Sequence, residues 1–458
     1  MRFRSTRGAA PELGFSDTLL SGLAPDGGLY VPERWPMLDV PSAADDYATT
    51  AAKVMSPYVG DDIDGEALTA MCREAYATFR HPAVAPLVQI DDHQWVLELF
   101  HGPTLAFKDV ALQLVGRLFD HVLAERSERI TIVGATSGDT GSAAIDGVRH
   151  CSNVDIVILY PQGRTSEVQR RQMTTVDAPN VHTVAVDGTF DDCQDLVKAM
   201  FADPVLRAEL KLSAVNSINW ARVMAQVVYY VTASNALSGP VRFSVPTGNF
   251  GNVLAGWIAR RSGAPIRDFI VSSNANDILT RFIEHGDMSM GEVVPTLSPS
   301  MDIQVSSNFE RLLFEMVGRD GAATAERLAG FRDSGRLDVP ESAMDEWIRG
   351  SFRAFRVDDA ATLTEISRVH AECGMLIDPH TATATAAARE LVDDADVISL
   401  ATAHPAKFPD AVEQATGIRP ELPGALVDLM DRPERIVRLP ADLAAITDFV
   451  RSVSRVVG

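Results

Sequence analysis

The chain has 458 residues, the length of two or three ordinary domains. Its composition, 46% hydrophobic and 22% charged, is typical of a globular protein, and no apolar run is long enough to predict a membrane span. The net charge of −21 argues against nucleic acid and anionic membranes as partners. Four scattered cysteines without a Cys-x-x-Cys pair argue against a zinc site or a disulfide framework. Because the first residues also lack the apolar core of a secretory signal, we expect a cytoplasmic location.

Short β-rich runs alternate with amphipathic stretches through the middle of the chain. This rhythm predicts an α/β fold with parallel sheets covered by helices on both faces. Residues 1–90 are less regular, and residues 285–345 are polar and irregular, as an insertion would be. The predicted strands are 129–133, 154–159, 181–186, 241–245, 269–271 and 397–400. The predicted helices are 142–150, 167–173, one starting near 191, 219–237 and 253–261.

Lys108 stands out because lysine is scarce: the chain has five lysines, and the other 36 of its 41 basic residues are arginines. The residue follows an apolar strand and a Gly-Pro turn, and a helix is predicted after it. Lysine can lose its proton and attack as an amine, which arginine cannot do. Apolar neighbours lower the pKa of a lysine, as Schiff-base chemistry requires. Taken alone, Lys108 is equally well explained as a lysine that reaches solvent from a helix start.

Two glycine-rich turns each join a predicted strand to a predicted helix. The first, 134–141, has neither dinucleotide-binding nor P-loop spacing, and Ser137, Asp139 and Thr140 add polar side chains to it. The second, 248–252 (Gly-Asn-Phe-Gly-Asn), forms a compact cup of backbone donors suited to a phosphate ester. Each of them could also be a purely structural turn.

The segment 216–222 (Asn-Ser-Ile-Asn-Trp-Ala-Arg) opens a long predicted helix. Asn216 and Ser217 are predicted to cap this helix, and Arg222 lies about a turn inside it. An amide, a hydroxyl and a guanidinium together suit a second anion. Helix capping beside a solvated arginine is the simpler interpretation of the same residues.

Near the end of the chain, Thr402 follows a predicted strand, at the strand end where ligands bind in open α/β sheets. His404 and Lys407 follow it closely. No second ligand lies at metal spacing from His404, so no metal site is predicted and a structural role is favoured for this histidine. The role of Lys407 is left open.

A reactive lysine and a phosphate cup without a nucleotide motif indicate pyridoxal phosphate as the cofactor. On these residues the chain resembles the threonine synthases, pyridoxal-phosphate enzymes of fold type II that are similar to the tryptophan synthase β chain. The Ser-Gly-Asp-Thr-Gly stretch resembles the long bacterial and fungal members. The matching segments are spread over most of the chain: 5–8, 26–32, 101–109, 135–141, 216–222, 248–252 and 403–408.

The resemblance implies two open, mostly parallel sheets with helices on both faces, and an N-terminal region before them. We expect this region to span 1–90. A smaller α/β domain, 91–215, would contain Lys108 and the loop 137–140. A larger α/β domain, 216–458, would contain the cup 248–252 and Thr402.

The resemblance also implies a role for each candidate residue. Lys108 would carry the cofactor as a Schiff base and then move protons at Cα and Cβ of the substrate. Asp139 would lie beside the 3′-oxygen of the cofactor and Thr402 would face its pyridine nitrogen. The cofactor phosphate would be held by Gly248, Asn249, Phe250, Gly251 and Asn252. The substrate would be held by Thr136, Ser137, Thr140, Asn216, Ser217 and Arg222, the last three on its phosphate.

The implied reaction converts O-phospho-L-homoserine and water into L-threonine and phosphate by γ-elimination and then addition of water at Cβ. The only expected partner is this small substrate, with the protein a monomer or weak homodimer. One alternative is a related fold-type II lyase, a dehydratase or a phospholyase acting on the same substrate, which would release a 2-oxo acid. Another is a non-catalytic anion-binding module, which predicts a missing lysine or a broken cup.

Overall fold

The predicted alternation of strands and helices builds two sheets that are parallel but for one edge pair. The computed structural model describes residues 1–39, 42, 44–136, 138–391, 393 and 395–456. The first sheet has five parallel strands, in the order Val437–Pro440, Val181–Asp187, Val154–Pro161, Ile130–Ala135 and Leu212–Ser213. Its central strand, Val154–Pro161, is buried along its whole length, as expected when helices cover both faces.

The second sheet has six strands, and its last pair is antiparallel. Their order is Phe352–Arg356, Ile266–Ser273, Val241–Pro246, Val397–Ala401, Gln94–Glu98 and Leu87–Asp91. Two short antiparallel pairs lie outside these sheets: Phe3–Ser5 with Tyr30–Pro32, and Met288–Ser289 with Arg336–Leu337. Each predicted strand is present, within one to three residues of its predicted ends.

Aspartates begin many of the helices in this acidic chain, because a carboxylate accepts hydrogen bonds from the free N–H groups of a first turn. They are Asp46, Asp64, Asp203, Asp320, Asp358, Asp378 and Asp442. The helices are Phe15–Ser21, Tyr47–Val59, Gly65–Tyr76, Lys108–Arg126, Asp139–Val148, Glu167–Thr174, Phe190–Ala202, Pro204–Glu209, Trp220–Ala236, Gly251–Arg261, Ile278–His285, Phe309–Met316, Gly321–Ser334, Glu341–Ala343, Asp359–Cys373, Pro379–Glu390, Pro409–Thr416 and Leu443–Val453. Of these described helices, none is both long enough and apolar enough to cross a bilayer.

Two predictions of irregular structure are wrong. The first ninety residues contain three helices, and the segment 285–345 contains the helices Phe309–Met316 and Gly321–Ser334. The helix Gly321–Ser334 has little amphipathic pattern and few buried residues, so hydrophobic periodicity gave no signal for it. The helix Phe309–Met316 is buried along its length, although its sequence includes two glutamates and an arginine. Ion pairs and hydrogen bonds made after folding permit this burial.

The strands cross the predicted domain boundaries in both directions. Leu87–Asp91 and Gln94–Glu98 join the six-stranded sheet rather than the sheet of the smaller predicted domain. Val437–Pro440, near the end of the chain, joins the five-stranded sheet. Three consecutive regions therefore do not describe how these strands are shared between the sheets. The domain boundaries at 90/91 and 215/216 stay predictions.

The helices Lys108–Arg126 and Asp139–Val148 cross at two glycines. A Cβ on Gly116 would lie 2.0 Å from the carbonyl oxygen of Gly147, and one on Gly147 would lie 2.4 Å from the carbonyl oxygen of Leu112. This close crossing fixes the position of Lys108 relative to Asp139, because each of these residues begins one of the helices.

We expect Gly116→Ala to lower the free energy of unfolding by about 1–3 kcal/mol, since the methyl group would push the two backbones apart. Gly330→Ala is the matched control: Gly330 lies inside a helix, a Cβ there would have no atom within 4 Å, and alanine should stabilise by about 1 kcal/mol. Urea unfolding of both variants checks this. Equal effects of the two substitutions would contradict the close crossing.

Candidate active site

Lys108 is buried at the first position of its helix. Its Nζ lies 3.4 Å from Oδ2 of Asp139, the first residue of the neighbouring helix. Burial is the largest influence and lowers the pKa of Lys108; Asp139 opposes this shift, and Lys407 and Arg222 add to it. A lysine in these surroundings is a neutral amine more readily than a solvated one, and the neutral amine is the form that attacks a carbonyl carbon.

Asp139 is held by three side chains. Besides Lys108, Nζ of Lys407 lies 2.7 Å from its Oδ1, and Nε2 of Gln169 donates to the same oxygen at 2.9 Å. Burial alone would raise the pKa of Asp139, but the charges of Lys407 and Lys108 outweigh it and keep the pKa well below its usual range. Asp139 is therefore a carboxylate that lies against the amine of Lys108.

Thr402 lies beside the start of the Lys108 helix. It follows the strand Val397–Ala401, and its carbonyl accepts a hydrogen bond from the N–H of Phe107 at 2.8 Å. The adjacent residues Ala106 and Ala403 also form a β-bridge. These contacts bring the strand end and the start of the Lys108 helix together. Contact of Thr402 with a pyridine nitrogen stays a prediction.

The side chain of His404 makes contacts that stabilise the local structure. Its Nδ1 accepts the N–H of Ala406 at 3.1 Å, and its ring lies edge-on to Phe100 at 5.3 Å. Burial is the main cause that lowers the pKa of His404 to about 4, so the ring is neutral near pH 7. Among the described residues, no three His, Cys, Asp or Glu side chains lie together where they could hold a metal ion.

The glycine-rich turn before Asp139 is closed by its own threonine. The hydroxyl oxygen of the buried Thr136 accepts the N–H groups of Gly138 at 3.0 Å and Gly141 at 2.9 Å. Only its hydroxyl hydrogen is then available to a ligand. Gly138 has φ +153°, and a Cβ there would lie 2.4 Å from the side chain of Gln169, so glycine is required. Thr140 is half-buried, and Ser137 lies outside the described residues.

The cap of the long helix differs from the prediction. Asn219, not Asn216 or Ser217, is the N-cap, and its side chain accepts the N–H of Ala221 at 3.0 Å. The segment offers an asparagine or serine at three nearby positions, and the local sequence does not show which one adopts the cap conformation. Asn216 is exposed and Ser217 partly exposed, so their side chains are accessible to a ligand.

Arg222 is buried, which rules out the simpler interpretation of a solvated arginine. Its Nη1 donates to the carbonyl of Val215 at 2.9 Å, and its Nε has no partner in the described part of the chain. Burial lowers the pKa of Arg222 to about 10, yet the group is still a cation at neutral pH. The charge of Arg222 also contributes to the lowered pKa of Lys108.

The segment 248–252 follows the strand Val241–Pro246 and includes the end of the turn and the first two residues of the helix Gly251–Arg261. Phe250 adopts φ 60°, and the helix begins directly after it. The first N–H groups of a helix have no partner within the helix, so they are free to bind an anion. A Cβ on Gly248 would lie 2.7 Å from the carbonyl oxygen of Ser300, so the Ser300 turn forms one wall of the cup.

Asn308 joins the cup to the Arg222 segment. Its N–H donates to the carbonyl of Asn249 at 3.0 Å, and its side-chain amide donates to the carbonyl of Ser217 at 3.1 Å. The same Ser217 oxygen lies 3.8 Å from the position of a Cβ on Gly251. The two predicted anion sites are therefore neighbours.

Comparison with known proteins decides the family. Three family models match in succession: "Threonine synthase N terminus" at residues 2–76, "Pyridoxal-phosphate dependent enzyme" at 78–329 and "Threonine synthase, C-terminal" at 381–450. The threonine synthase of Pseudomonas aeruginosa is 53% identical over 98% of both chains. The chain belongs to the threonine synthase family. These matches confirm the predicted family and the predicted cofactor, pyridoxal phosphate. They also confirm the predicted threonine synthase activity, which is that of a pyridoxal-phosphate-dependent lyase.

Solved threonine synthase structures agree along the whole chain. The structure from Brucella melitensis, described as bound to pyridoxal phosphate, is 51% identical and superimposes with a TM-score of 0.97 over 99% of this chain and 100% of its own. The yeast threonine synthase is 37% identical, with a TM-score of 0.92 over 99% of this chain and 98% of its own. The predicted fold class, fold type II with mostly parallel sheets, is confirmed.

The cup of this threonine synthase family member fits a phosphate ester. The side-chain oxygen of Asn252 accepts hydrogen bonds from the hydroxyls of Tyr229 and Tyr230. Its amide nitrogen is buried without a partner among the described residues, so it is the donor left for a ligand. The sequence predicted Asn252 but not the two tyrosines that orient it.

Two partners of Asp139, Lys407 and Gln169, were not predicted from the sequence. The scarcity of lysine singled out Lys108 and applies equally to Lys407, so one signal was present. No comparable signal existed for Gln169, which lies 30 residues from Asp139 in an amphipathic helix.

Proposed function

We propose that this chain converts O-phospho-L-homoserine and water into L-threonine and phosphate in the cytoplasm, as a monomer or weak homodimer. One observation supports the proposal above all. A buried lysine amine, Lys108, lies against the carboxylate of Asp139. Arg222, whose charge contributes to the lowered pKa of Lys108, is a buried guanidinium whose Nε has no partner among the described residues. An amine base and a free cation are the two groups that proton removal and departure of phosphate require.

The proposal assigns to each candidate residue a part in holding pyridoxal phosphate. Lys108 Nζ would bind its aldehyde carbon covalently, and the cup of Gly248, Asn249, Phe250, Gly251 and Asn252 would hold its phosphate. The carboxylate of Asp139 would lie beside its 3′-oxygen, and the neutral hydroxyl of Thr402 would face its ring nitrogen. When bound, the cofactor supplies an electron sink for negative charge at the substrate's Cα.

Lys108 is the proton carrier in this proposal. Its amine, once free, would remove the proton from Cα of the substrate and transfer protons at Cβ. Burial lowers the pKa of this lysine and favours its neutral, basic form. The neighbouring Asp139 is fixed by Lys407 and Gln169 and so keeps one orientation as Nζ is released.

Arg222 would bind the phosphate that leaves the substrate, with Asn216 and Ser217 beside it. A guanidinium in a buried site gains attraction as the leaving phosphate gains charge, so it favours the transition state over the bound substrate. Thr136, Ser137 and Thr140 would hold the substrate carboxylate. The lysine and the cup are both intact, in contrast to what a non-catalytic module predicts.

Arg222→Ala tests this assignment. We expect the variant to keep its cofactor absorbance and to lose about 1.5–3 kcal/mol of transition-state stabilisation, the usual scale for hydrogen bonds to a charged group. Steady-state kinetics with O-phospho-L-homoserine measure this loss as kcat/KM. As a control, exchange of the Cα proton of L-threonine in D2O should stay near the wild-type rate, because threonine carries no phosphate. Loss of the cofactor with normal turnover on added pyridoxal phosphate would show that the two anion sites are assigned wrongly.

A further inference from the structure

We propose that Lys407 is the charge-balancing partner of Asp139, a positioning residue that holds this carboxylate at the cofactor site and shares its charge with Lys108. The inference rests on the proposed role of Lys108 as the lysine that binds the cofactor. It assigns a task to a residue whose purpose the sequence leaves open.

Lys407 lies in a short turn, Pro405–Lys407, and is fully buried. Its Nζ contacts Oδ1 of Asp139 at 2.7 Å and donates to the carbonyl of Thr104 at 2.8 Å. Removing an ammonium group from water costs several kcal/mol unless an opposite charge faces it, so fully buried lysines are nearly always paired. Here Asp139 is that opposite charge.

The two carboxylate oxygens of Asp139 have different partners. Oδ1 takes the short contacts from Lys407 and Gln169, whereas Oδ2 faces Lys108 at the long distance of 3.4 Å. If Lys407 were neutral, the whole charge of Asp139 would act on Lys108 and hold it as an ammonium ion. Lys407 therefore leaves Nζ of Lys108 loosely held and able to change partners.

The chemistry of the cofactor adds a second reason. A carboxylate only accepts hydrogen bonds, so beside an oxygen that carries negative charge it is repelled unless a cation balances it. The charged groups that influence Lys108 are Asp139, Lys407 and Arg222, and Lys407 also influences Asp109. Two cations besides Lys108 are in this group. Arg222 donates to the carbonyl of Val215, whereas Lys407 directly contacts the carboxylate of Asp139.

A double-mutant cycle on the holoenzyme tests the proposal with Lys407→Met, Asp139→Asn and the double variant. The readouts are the dissociation constant of pyridoxal phosphate from the resolved protein and the pH at which the cofactor absorbance band shifts. We expect Lys407→Met to weaken cofactor binding by at least about tenfold and to move the absorbance change to higher pH, because it leaves a buried carboxylate unbalanced. Adding Asp139→Asn removes the carboxylate that Lys407→Met leaves unbalanced, so in both readouts the double variant should change by less than the sum of the two single variants.

Lys198→Met is the matched control, since this lysine is 70% exposed and pairs with Asp195 at the surface. It should change neither readout. Additive losses in the cycle would overturn the proposal, because a lysine with a purely structural role is not rescued by neutralising Asp139. If Lys407→Met does not fold but the double variant does, the proposal is supported. If neither variant folds, Lys407→Arg decides between the two outcomes. If the pH at which the cofactor absorbance band shifts is unchanged in this variant, charge balance is supported. If that pH rises, charge balance is contradicted.

Borohydride reduction of the wild-type holoenzyme separates this inference from the function on which it rests. A pyridoxyl label on Lys108 together with an additive cycle would refute only the role of Lys407. A label on another residue would refute the proposed role of Lys108 itself.

Discussion

Lys108→Ala is expected to remove covalent cofactor binding and to lower turnover of O-phospho-L-homoserine by about 10²–10⁴-fold, the usual contribution of a positioned acid–base group. Alanine offers neither the amine proposed to bond the cofactor aldehyde nor the base proposed to move protons. The fold should persist, because Asp139 keeps its contacts with Lys407 and Gln169. Absorbance of the dialysed protein and borohydride labelling measure the loss of covalent cofactor binding, and steady-state kinetics measure the loss of turnover.

The control for this substitution is Lys211→Ala, which removes a lysine that pairs at the surface with Glu128. It should leave the cofactor absorbance and the turnover at wild-type values. Peptide mapping of the reduced wild-type protein must place the pyridoxyl group on Lys108. A label on Lys407, or a Lys108→Ala protein that still binds the cofactor covalently, would refute the assignment.

Gly248→Val is expected to abolish retention of the cofactor. Even a single Cβ at this position would lie 2.7 Å from the backbone carbonyl oxygen of Ser300, so the branched side chain would force the cup open. Overpacking of this kind costs about 1–3 kcal/mol, and here it would fall on the segment proposed to hold the cofactor phosphate. Titration of the apoprotein with pyridoxal phosphate, followed by absorbance, measures the loss.

Gly350→Val provides the comparison, because no atom lies within 4 Å of a Cβ at Gly350. That variant should bind the cofactor as the wild type does. Stoichiometric retention of pyridoxal phosphate by Gly248→Val would show that the phosphate lies elsewhere.

The rhythm of strands and helices could be predicted from the sequence because each buried strand carries its own apolar run. The strand predicted at 154–159 is Val154–Pro161, and the helix predicted at 219–237 is Trp220–Ala236. The choice of sheet could not be predicted in this way. Nothing in the local pattern of Val437–Pro440 shows that it pairs with Val181–Asp187, because this pairing is decided by tertiary packing.

The candidate site, like the fold, was predictable where a residue carries a local signal and not where a contact depends on tertiary packing. Lys108 and the cup carry local signals, a scarce lysine after an apolar strand and closely spaced glycines. The partners of Asp139 carry no local signal of contact. Lys407 donates to Thr104 across 303 residues of sequence, and only the folded chain brings its ammonium to the carboxylate. Roles in binding the cofactor and the substrate stay predictions, with the geometry in support.

The most direct test of the central claim is to incubate the purified protein with O-phospho-L-homoserine and to quantify L-threonine, phosphate and 2-oxobutyrate together. We predict that threonine and phosphate form in equal amounts and that 2-oxobutyrate stays a minor product. Phosphate released with an equal amount of 2-oxobutyrate, and no threonine, would contradict the proposed reaction and identify a phospholyase instead.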